Sequence, residues 1–168
     1  MPGPAGWPAH PPVPAPPRIR DLLAALLGRP VEVAVDVPLV PAPDEPHVLT
    51  VYLDDRHRLA AVGVLDLALA AYAGAALGLV PAPVARERVD AGQLRGDLAE
   101  NVAEVANVLG ALFNLPGAPH LRLHQVFAPG ELPPADVSVL ARTVGRRVDL
   151  AVTLAGYGAG RLALVSRA

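Results

Sequence analysis

The sequence predicts an α+β fold, in which a mainly antiparallel β-sheet is packed with two or three helices. Three observations indicate it. Strand-like segments occur in pairs across short polar or glycine-rich turns, as in antiparallel hairpins. Segments with helical periodicity are inserted between these pairs. The chain has 168 residues, 52% of them hydrophobic, which is enough to bury one sizeable core, so a single domain is expected.

The N-terminal segment, residues 1–17, contains eight prolines. It has no positively charged stretch followed by an apolar one, so a signal peptide is not indicated. Proline-rich sequence of this kind favours extended polyproline conformations. We therefore predict a flexible proline-rich tail over 1–17 and a single domain over 18–168, with Trp7 as a side chain that could dock on a partner.

The first elements are predicted from alternation and turn residues. Residues 18–28 form a short amphipathic helix that ends at a glycine. Residues 31–37, VEVAVDV, alternate as a half-buried strand does, with all four valines on one face. After a proline-rich loop over 38–46, the apolar runs 48–53 and 59–65 flank a polar turn and predict a hairpin.

The most apolar segment, Leu59–Val80, is long enough to raise the question of a membrane span. Asp66 interrupts it, and three glycines indicate changes of element. We interpret the segment as a strand followed by a helix that Asp66 caps and that ends at Leu77. A cytoplasmic protein without membrane contact is therefore expected.

The remaining elements are predicted to be, in order, a linker over 81–88, a long helix over 97–114, a strand over 121–127, a short helix over 133–144, and a hairpin of strands 148–154 and 162–165. The pattern of 133–144 is ambiguous between helix and strand. Its first residues are prolines, which suit the first turn of a helix, so the helix is favoured.

The composition excludes several kinds of chemistry. All fourteen basic residues are arginine, so Schiff-base catalysis and a Walker-type phosphate lysine are excluded. The absence of cysteine excludes thiol nucleophiles, thiolate metal sites and disulfides. The only serines, Ser138 and Ser166, lack the Gly-x-Ser-x-Gly elbow. A net charge of −2 without a basic patch gives no indication of nucleic-acid binding.

Two patterns are similar to binding sites but have simpler explanations. The glycine-rich run Gly156–Gly160 leads into a strand, whereas a phosphate-binding loop needs a helix N-terminus, so we interpret it as a hairpin turn. His120 and His124 share one face of a strand with Arg122 between them, and this cation would repel a metal ion. No metal site is predicted.

The long helix carries the one pattern that narrows the function. Its large apolar residues form a core-facing stripe, namely Leu98, Val102, Val105, Leu109 and Leu112. On the opposite side, Glu104 and Asn107 project next to each other. Asn107 is a poor helix former in mid-helix, where alanine, glutamate or arginine would stabilise the helix more.

Two interpretations of this polar face stay open. It can be the solvated side of an amphipathic helix, or it can be a site formed by Glu104 and Asn107. Glu100 has a structural explanation of its own, because Asp97 as N-cap and Glu100 three residues later would form a capping box. Glu100 is therefore a weaker functional candidate than Glu104.

The helix resembles the active helix of the CheC/CheX/FliY phosphatases of bacterial chemotaxis. The motif of that family is Glu-x-x-Asn, preceded by Asp or Ser four residues earlier. Here Glu104-Val105-Ala106-Asn107 matches it, Asn107-Val108-Leu109-Gly110 extends the likeness, and Pro129 lies close to the place of a proline in the CheC form. The predicted order of elements over 18–167 is also similar, so the resemblance implies a CheC/CheX-like fold.

The sequence departs from the family pattern in two places, and the second departure points to one subgroup. Glu100 occupies the Asp/Ser position. No second Glu-x-x-Asn occurs in 18–28 or 66–77, where a two-site CheC-like protein would have one. A single site makes the CheX-like subgroup the better match, and because its members are typically dimers, the resemblance implies a homodimer.

The resemblance implies a phosphatase that hydrolyses the aspartyl-phosphate of a response-regulator receiver domain such as CheY. Asn107 would orient the attacking water, and Glu104 would pair with the active-site lysine of the regulator. The phosphorylated partner would supply Mg²⁺, so no cofactor is expected in this chain. The neighbouring residues expected to contact the partner are Glu100, Asn101, Gly110 and Asn114.

Two other functions are open at this stage. A non-catalytic interaction or adaptor module on the same fold would use the Glu104/Asn107 pair as a docking contact. A structural homodimer would merely expose a polar helix face. Receiver binding without turnover would favour the first of these, and absence of receiver binding would favour the second.

Overall fold

The structure of the protein, a computed structural model, describes residues 10–168. Its helices are α1 (Pro16–Leu27), α2 (Leu67–Leu77), α3 (Ala82–Asp90), α4 (Asp97–Gly110) and α5 (Ala135–Arg142), and a 3₁₀ turn, Ala111–Phe113, extends α4. Its strands are β1 (Val31–Val35), β2 (His47–Leu53), β3 (Leu59–Asp66), β4 (Arg122–Phe127), β5 (Arg147–Leu154) and β6 (Gly158–Ser166).

All six strands form one sheet in the order β1-β5-β6-β3-β2-β4, and every pair of neighbours is antiparallel. The hairpins β2–β3 and β5–β6 lie side by side in its centre, as their sequence pattern predicts. The predicted α+β class with a mainly antiparallel sheet is therefore confirmed. The number of helices was underestimated, because five α-helices are found in the described part of the chain instead of two or three.

The two faces of the sheet are covered differently. Helices α1, α2 and α4 cover one face and contribute Ile19, Leu69 and Val105 to the main core. Helix α5 covers part of the other face, where Leu140 packs in a smaller core with Leu39 of the proline-rich loop. The candidate helix α4 therefore lies on the more heavily packed face.

The segment predicted to be a linker, 81–88, is mostly helical, so that prediction was wrong. Helix α3 begins at Ala82 and places Pro83 in its first turn, where a helix needs no backbone N–H donor. Ala85 is buried against the core. A proline at this position is compatible with the start of a helix, so its presence does not indicate a linker.

Strand β1 is at the edge of the sheet, and this limits its burial. Val31 is buried and Val33 packs against the core, as the alternation predicts. The strand ends at Val35, which is 79% exposed, and Val37 beyond it is 66% exposed. The predicted burial of Val35 and Val37 was therefore wrong, because β1 has a neighbouring strand on one side only.

The glycine-rich run forms a hairpin, as predicted, and two of its glycines lie inside β6. A Cβ atom on Gly160 would lie 2.5 Å from the backbone nitrogen of Leu69. Only glycine allows this close approach of β6 to the start of α2. The glycines therefore serve packing and turning, and no helix follows them to hold a phosphate.

The N-terminal segment is partly packed where the structure describes it. Helix α1 begins at Pro16, two residues before the predicted start. Pro11 is buried, and its carbonyl accepts hydrogen bonds from Arg146 and from the hydroxyl of Ser166. The helix thus begins inside the segment predicted as a tail, the flexibility of that segment stays a prediction, and Trp7 lies outside the described residues.

Within residues 10–168, the helices are too short or too polar to cross a membrane.

Candidate functional site

Helix α4 is held by the large apolar stripe that the sequence predicts. Its members are all buried, namely Leu98, Val102, Val105, Leu109 and Leu112. They belong to the main core between the sheet and the helices on that face. The phase of the helix is therefore fixed by apolar burial, and the opposite side must face away from the core.

Helix α2 packs closely on one flank of α4. A Cβ atom on Gly74 would lie 2.8 Å from the carbonyl oxygen of Leu98, so the two backbones approach one another at this glycine. The side-chain amide of Asn101 donates a hydrogen bond of 3.0 Å to the carbonyl oxygen of Gly74. Asn101 thus joins the two helices and is half-buried between them.

A tyrosine of the sheet supports the other flank of α4. The hydroxyl of Tyr52 on β2 donates a hydrogen bond of 2.7 Å to the carbonyl oxygen of Ala106. Its ring packs 5.5 Å from the ring of Phe113, between centroids, and it lies against Gly110, where a Cβ atom would approach the ring to 3.0 Å. Burial raises the pKa of the Tyr52 hydroxyl far above its usual value, so the hydroxyl stays protonated and remains a donor.

Glu104 and Asn107 lie on the exposed side of the same helix, one turn apart. The structure gives neither side chain a hydrogen bond or an ion pair with any other residue in 10–168. The core stripe and the Tyr52 contact hold the helix from behind. The two polar groups are thus presented to solvent on a fixed backbone, as the helical periodicity predicts.

Glu100 is exposed on the same side, but the predicted capping box is wrong. The N-cap is Gly96, with φ of 60°, and Asp97 is the first residue inside α4. No side chain caps this end, and the backbone N–H of Glu100 bonds to the carbonyl oxygen of Gly96. The carboxylate of Glu100 is therefore not used in capping.

The other two residues predicted to contact a partner have structural contacts. Asn114 donates to the carbonyl oxygen of Leu121 at 3.1 Å and accepts from the backbone N–H of Leu121 at 2.7 Å. It therefore ties the end of the helix to the start of β4. Gly110 is buried against Tyr52. A role of Asn101, Gly110 and Asn114 in partner binding stays a prediction.

An open groove of about 360 Å³ runs beside Asn107, between the end of α4 and the start of β4. Its walls include Asn107, Ala111, His120 and Leu123. The small side chain of Ala111 leaves room next to Asn107. A loop or a reactive group of a partner protein can therefore reach the amide of Asn107 from this side.

No protein-family model matches the chain, and no curated protein matches it either. Among solved structures, FliY from Thermotoga maritima matches with a TM-score of 0.52 and 15% identity, over 88% of this chain and 82% of that chain. A chain in the FliM–SpeE complex from H. pylori has a TM-score of 0.55 and 8% identity, over 88% and 79%. A chain in the CheX–CheY–BeF3–Mg²⁺ complex from Borrelia burgdorferi has a TM-score of 0.51 and 11% identity, over 89% of this chain and 93% of that chain.

The chain has the CheC/CheX/FliY fold. The fold that the Glu-x-x-Asn resemblance implies is thereby confirmed. At these identities the likeness shows the fold alone. The roles of Glu104 and Asn107 therefore rest on the motif and on the geometry of the helix.

In this CheX-like fold, the two histidines of the β4 region lie on the surface. His120 and His124 are exposed. Across the described residues, no group of three or more His, Asp or Glu side chains is arranged to hold a metal ion.

Sequence reasoning missed Tyr52, because its partner Ala106 is 54 residues further along the chain. One signal in the sequence could have indicated it. A tyrosine in the middle of an apolar strand has to place its hydroxyl on a hydrogen-bond partner if the strand is buried. The pattern Leu49–Leu53, LTVYL, is such a strand.

Proposed function

We propose that the protein is a CheX-like phosphatase that hydrolyses the aspartyl-phosphate of a response-regulator receiver domain. The observation that carries the proposal is the exposed Glu104/Asn107 pair, one turn apart on a helix fixed by the core. The pair matches the Glu-x-x-Asn motif, and it occurs on the matching fold. A chain of similar fold occurs in a crystal with CheY, BeF3 and Mg²⁺.

The chemistry suits a chain that lacks lysine, cysteine and a serine elbow. Water attacks the phosphorus of the acyl phosphate, the bond between phosphorus and the aspartyl oxygen breaks, and the products are the aspartate carboxylate and inorganic phosphate. The side-chain amide of Asn107 would hold this water in line with the leaving oxygen, which lowers the entropic part of the barrier. The regulator would supply the Mg²⁺ that neutralises charge on the phosphoryl group.

Glu104 would have a separate role in docking. Its carboxylate is exposed and has no partner among the described residues. It is therefore available for a charge-assisted hydrogen bond with the active-site lysine of the regulator. This contact would set the register in which Asn107 enters the site of the regulator. A cytoplasmic location and the absence of nucleic-acid or membrane partners stay predictions.

The test is the rate of phosphate release from receiver domains charged with acetyl phosphate. We expect the wild-type protein to accelerate release, and we expect Asn107→Ala to lose about a hundredfold of the acceleration while it still binds the receiver. Glu87→Ala, which removes an exposed glutamate on α3, is the matched control and should behave as wild type. Unchanged dephosphorylation by Asn107→Ala would overturn the catalytic role.

A second candidate is a non-catalytic adaptor on the same fold. Two observations favour it: Glu100 stands where the motif has Asp or Ser, and a chain in the FliM–SpeE complex is among the structures that match. Receiver binding without acceleration, in the same assay, would support this candidate. Absence of both would leave a structural homodimer.

A further inference from the structure

We propose that Tyr52 is a positioning residue for Asn107, acting through the backbone of α4. This inference rests on the proposed function, because positioning matters only if Asn107 orients a water. Tyr52 is fully buried against one flank of the helix, whereas Asn107 is exposed. It therefore cannot touch a substrate and can act only through the helix.

The contact is made directly next to Asn107. The Tyr52 hydroxyl donates to the carbonyl oxygen of Ala106 at 2.7 Å, and this carbonyl belongs to the peptide unit that contains the backbone nitrogen of Asn107. A peptide unit is planar, so a bond that fixes the carbonyl also fixes the N–H and the Cα position on its far side. The Tyr52 contact therefore restrains the orientation of Asn107 at its backbone.

The regular hydrogen bonds of the helix end just after this position. The backbone N–H of Ala111 bonds to the carbonyls of Val108 and Leu109, in place of the carbonyl of Asn107 four residues earlier. The carbonyl of Asn107 thus lacks the regular α-helical donor, and the chain tightens into a 3₁₀ turn from Ala111 onward. An anchor from outside the helix has its largest effect at such a point.

The Tyr52 hydroxyl is itself held in place. The hydroxyl of Thr50 donates to it at 3.3 Å. Gly63 lies directly opposite Thr50 in the β2–β3 pair, and a Cβ atom there would come into collision with the Thr50 hydroxyl oxygen. The missing side chain at Gly63 therefore makes the space for a relay of hydrogen bonds from Thr50 through Tyr52 to Ala106.

The test compares two tyrosines in similar settings. Tyr157 is also buried, and its hydroxyl also donates to a backbone carbonyl at 2.7 Å, that of Val80, away from the Glu104/Asn107 site. Tyr52→Phe and Tyr157→Phe each remove one buried hydroxyl and keep the ring. Steady-state dephosphorylation of a charged receiver domain gives kcat and KM for each variant, and thermal unfolding shows whether both variants are folded.

We expect Tyr52→Phe to lower kcat roughly tenfold with KM unchanged, because a small displacement of the water-orienting amide slows the step without weakening docking. Tyr157→Phe should keep the wild-type kcat at a similar loss of unfolding temperature. Thr50→Val, which keeps Tyr52 and removes the donor behind it, should lower kcat by a smaller factor and serves as the test if Tyr52→Phe is unfolded.

Three results would overturn the inference, and they differ in what else they overturn. An active wild-type protein with unchanged kcat in Tyr52→Phe overturns the role of Tyr52 and leaves the proposed function standing. Equal losses of kcat in Tyr52→Phe and Tyr157→Phe show a general effect of destabilisation and also overturn it. A wild-type protein without activity on any charged receiver overturns the proposed function and this inference together.

Discussion

The carboxylate of Glu104 and the amide of Asn107 project from one face of α4, yet only the first carries a charge. Substitution of Glu104 should therefore affect receiver binding, whereas substitution of Asn107 should affect the hydrolysis step. We expect Glu104→Gln to weaken receiver binding about tenfold, because a hydrogen bond between two charged groups becomes one with a neutral acceptor. The measurement is the Kd for a charged receiver domain, taken at low and at high salt.

The salt series supplies a second criterion. Binding by the wild-type protein should weaken as salt rises, and this dependence should be smaller for Glu104→Gln because one attractive charge pair is gone. Glu87→Gln is the control, since Glu87 is an exposed glutamate on α3 and is not among the residues expected to contact the partner. An equal effect of both substitutions would contradict a specific contact at Glu104.

At the level of residues, the exposure of the α4 side chains was predictable from the sequence, but their hydrogen-bond partners were not. Periodicity alone placed Glu104 and Asn107 on the outer face, because the apolar stripe fixes the phase of the helix. The same reasoning could not show that Asn101 bonds to Gly74, which is 27 residues away and on another helix. It also assigned the cap to Asp97, although a glycine with positive φ, Gly96, precedes it.

At the level of elements, the start of α2 gives a prediction about pH. The side chain of Asp66 accepts a hydrogen bond of 2.9 Å from the backbone N–H of Leu69, which caps the helix. Burial raises the pKa of this carboxyl, and the backbone N–H groups of Leu69 and Arg161, with the charge of Arg161, oppose the increase. Burial is the larger effect, so the ionised form is disfavoured in the folded protein relative to the unfolded chain.

The sign of the pH effect follows from this direction. A carboxyl with a raised folded-state pKa stabilises the fold fully below the pKa of the unfolded chain, and that contribution is lost as pH rises through the raised value. Asp66→Asn keeps a good N-cap and removes the ionisation. We expect it to be at least as stable as wild type at pH 7, and its unfolding free energy should increase relative to that of wild type as pH rises from 4 to 7.

Asp66→Ala provides the comparison, because it removes the cap as well and should lose about 1 kcal/mol of unfolding free energy. Denaturant unfolding at several pH values measures all three proteins. A difference in unfolding free energy between Asp66→Asn and wild type that does not change from pH 4 to pH 7 would contradict the assignment to this carboxyl.

The elements that the sequence predicted well are those whose partners are close along the chain. The hairpin of β2 and β3 was found because a polar turn joins two apolar runs, and Asp54 in that turn bonds to Arg58 four residues later. The extent of β1 and the existence of α3 were missed. Their burial depends on which strand or helix lies beside them, and that is decided by contacts across the whole fold.

At the level of the whole molecule, the two edges of the sheet differ in character. Strand β4 ends one side with exposed polar residues, including Arg122, His124 and Gln125, and charged edges oppose pairing with another strand. Strand β1 ends the other side. The backbone N–H of Asp36 bonds to the carbonyl oxygen of Asp149 on β5. In an antiparallel pair the direction of the backbone hydrogen-bonding groups alternates, so the N–H and C=O groups of Val33 and Val35 point away from β5. The side chain of Val35 is exposed as well.

We therefore expect the homodimer implied by the family resemblance to form at the β1 edge. Val35→Lys should convert the dimer to a monomer, because pairing of two β1 edges would then desolvate an added charge. Sedimentation velocity at several protein concentrations measures the change. Val144→Lys is the matched control, since Val144 is 85% exposed and lies after α5, away from both edges.

The same variant also tests whether the site acts independently of assembly. Helix α4 contacts β4, at the opposite end of the sheet from β1, and the groove beside Asn107 is lined by residues of α4 and of the start of β4. Monomeric Val35→Lys should therefore accelerate dephosphorylation as fast per chain as the wild-type protein. A dimer that persists in Val35→Lys would place the contact elsewhere, and a monomer that loses activity would show that the partner chain contributes to the site.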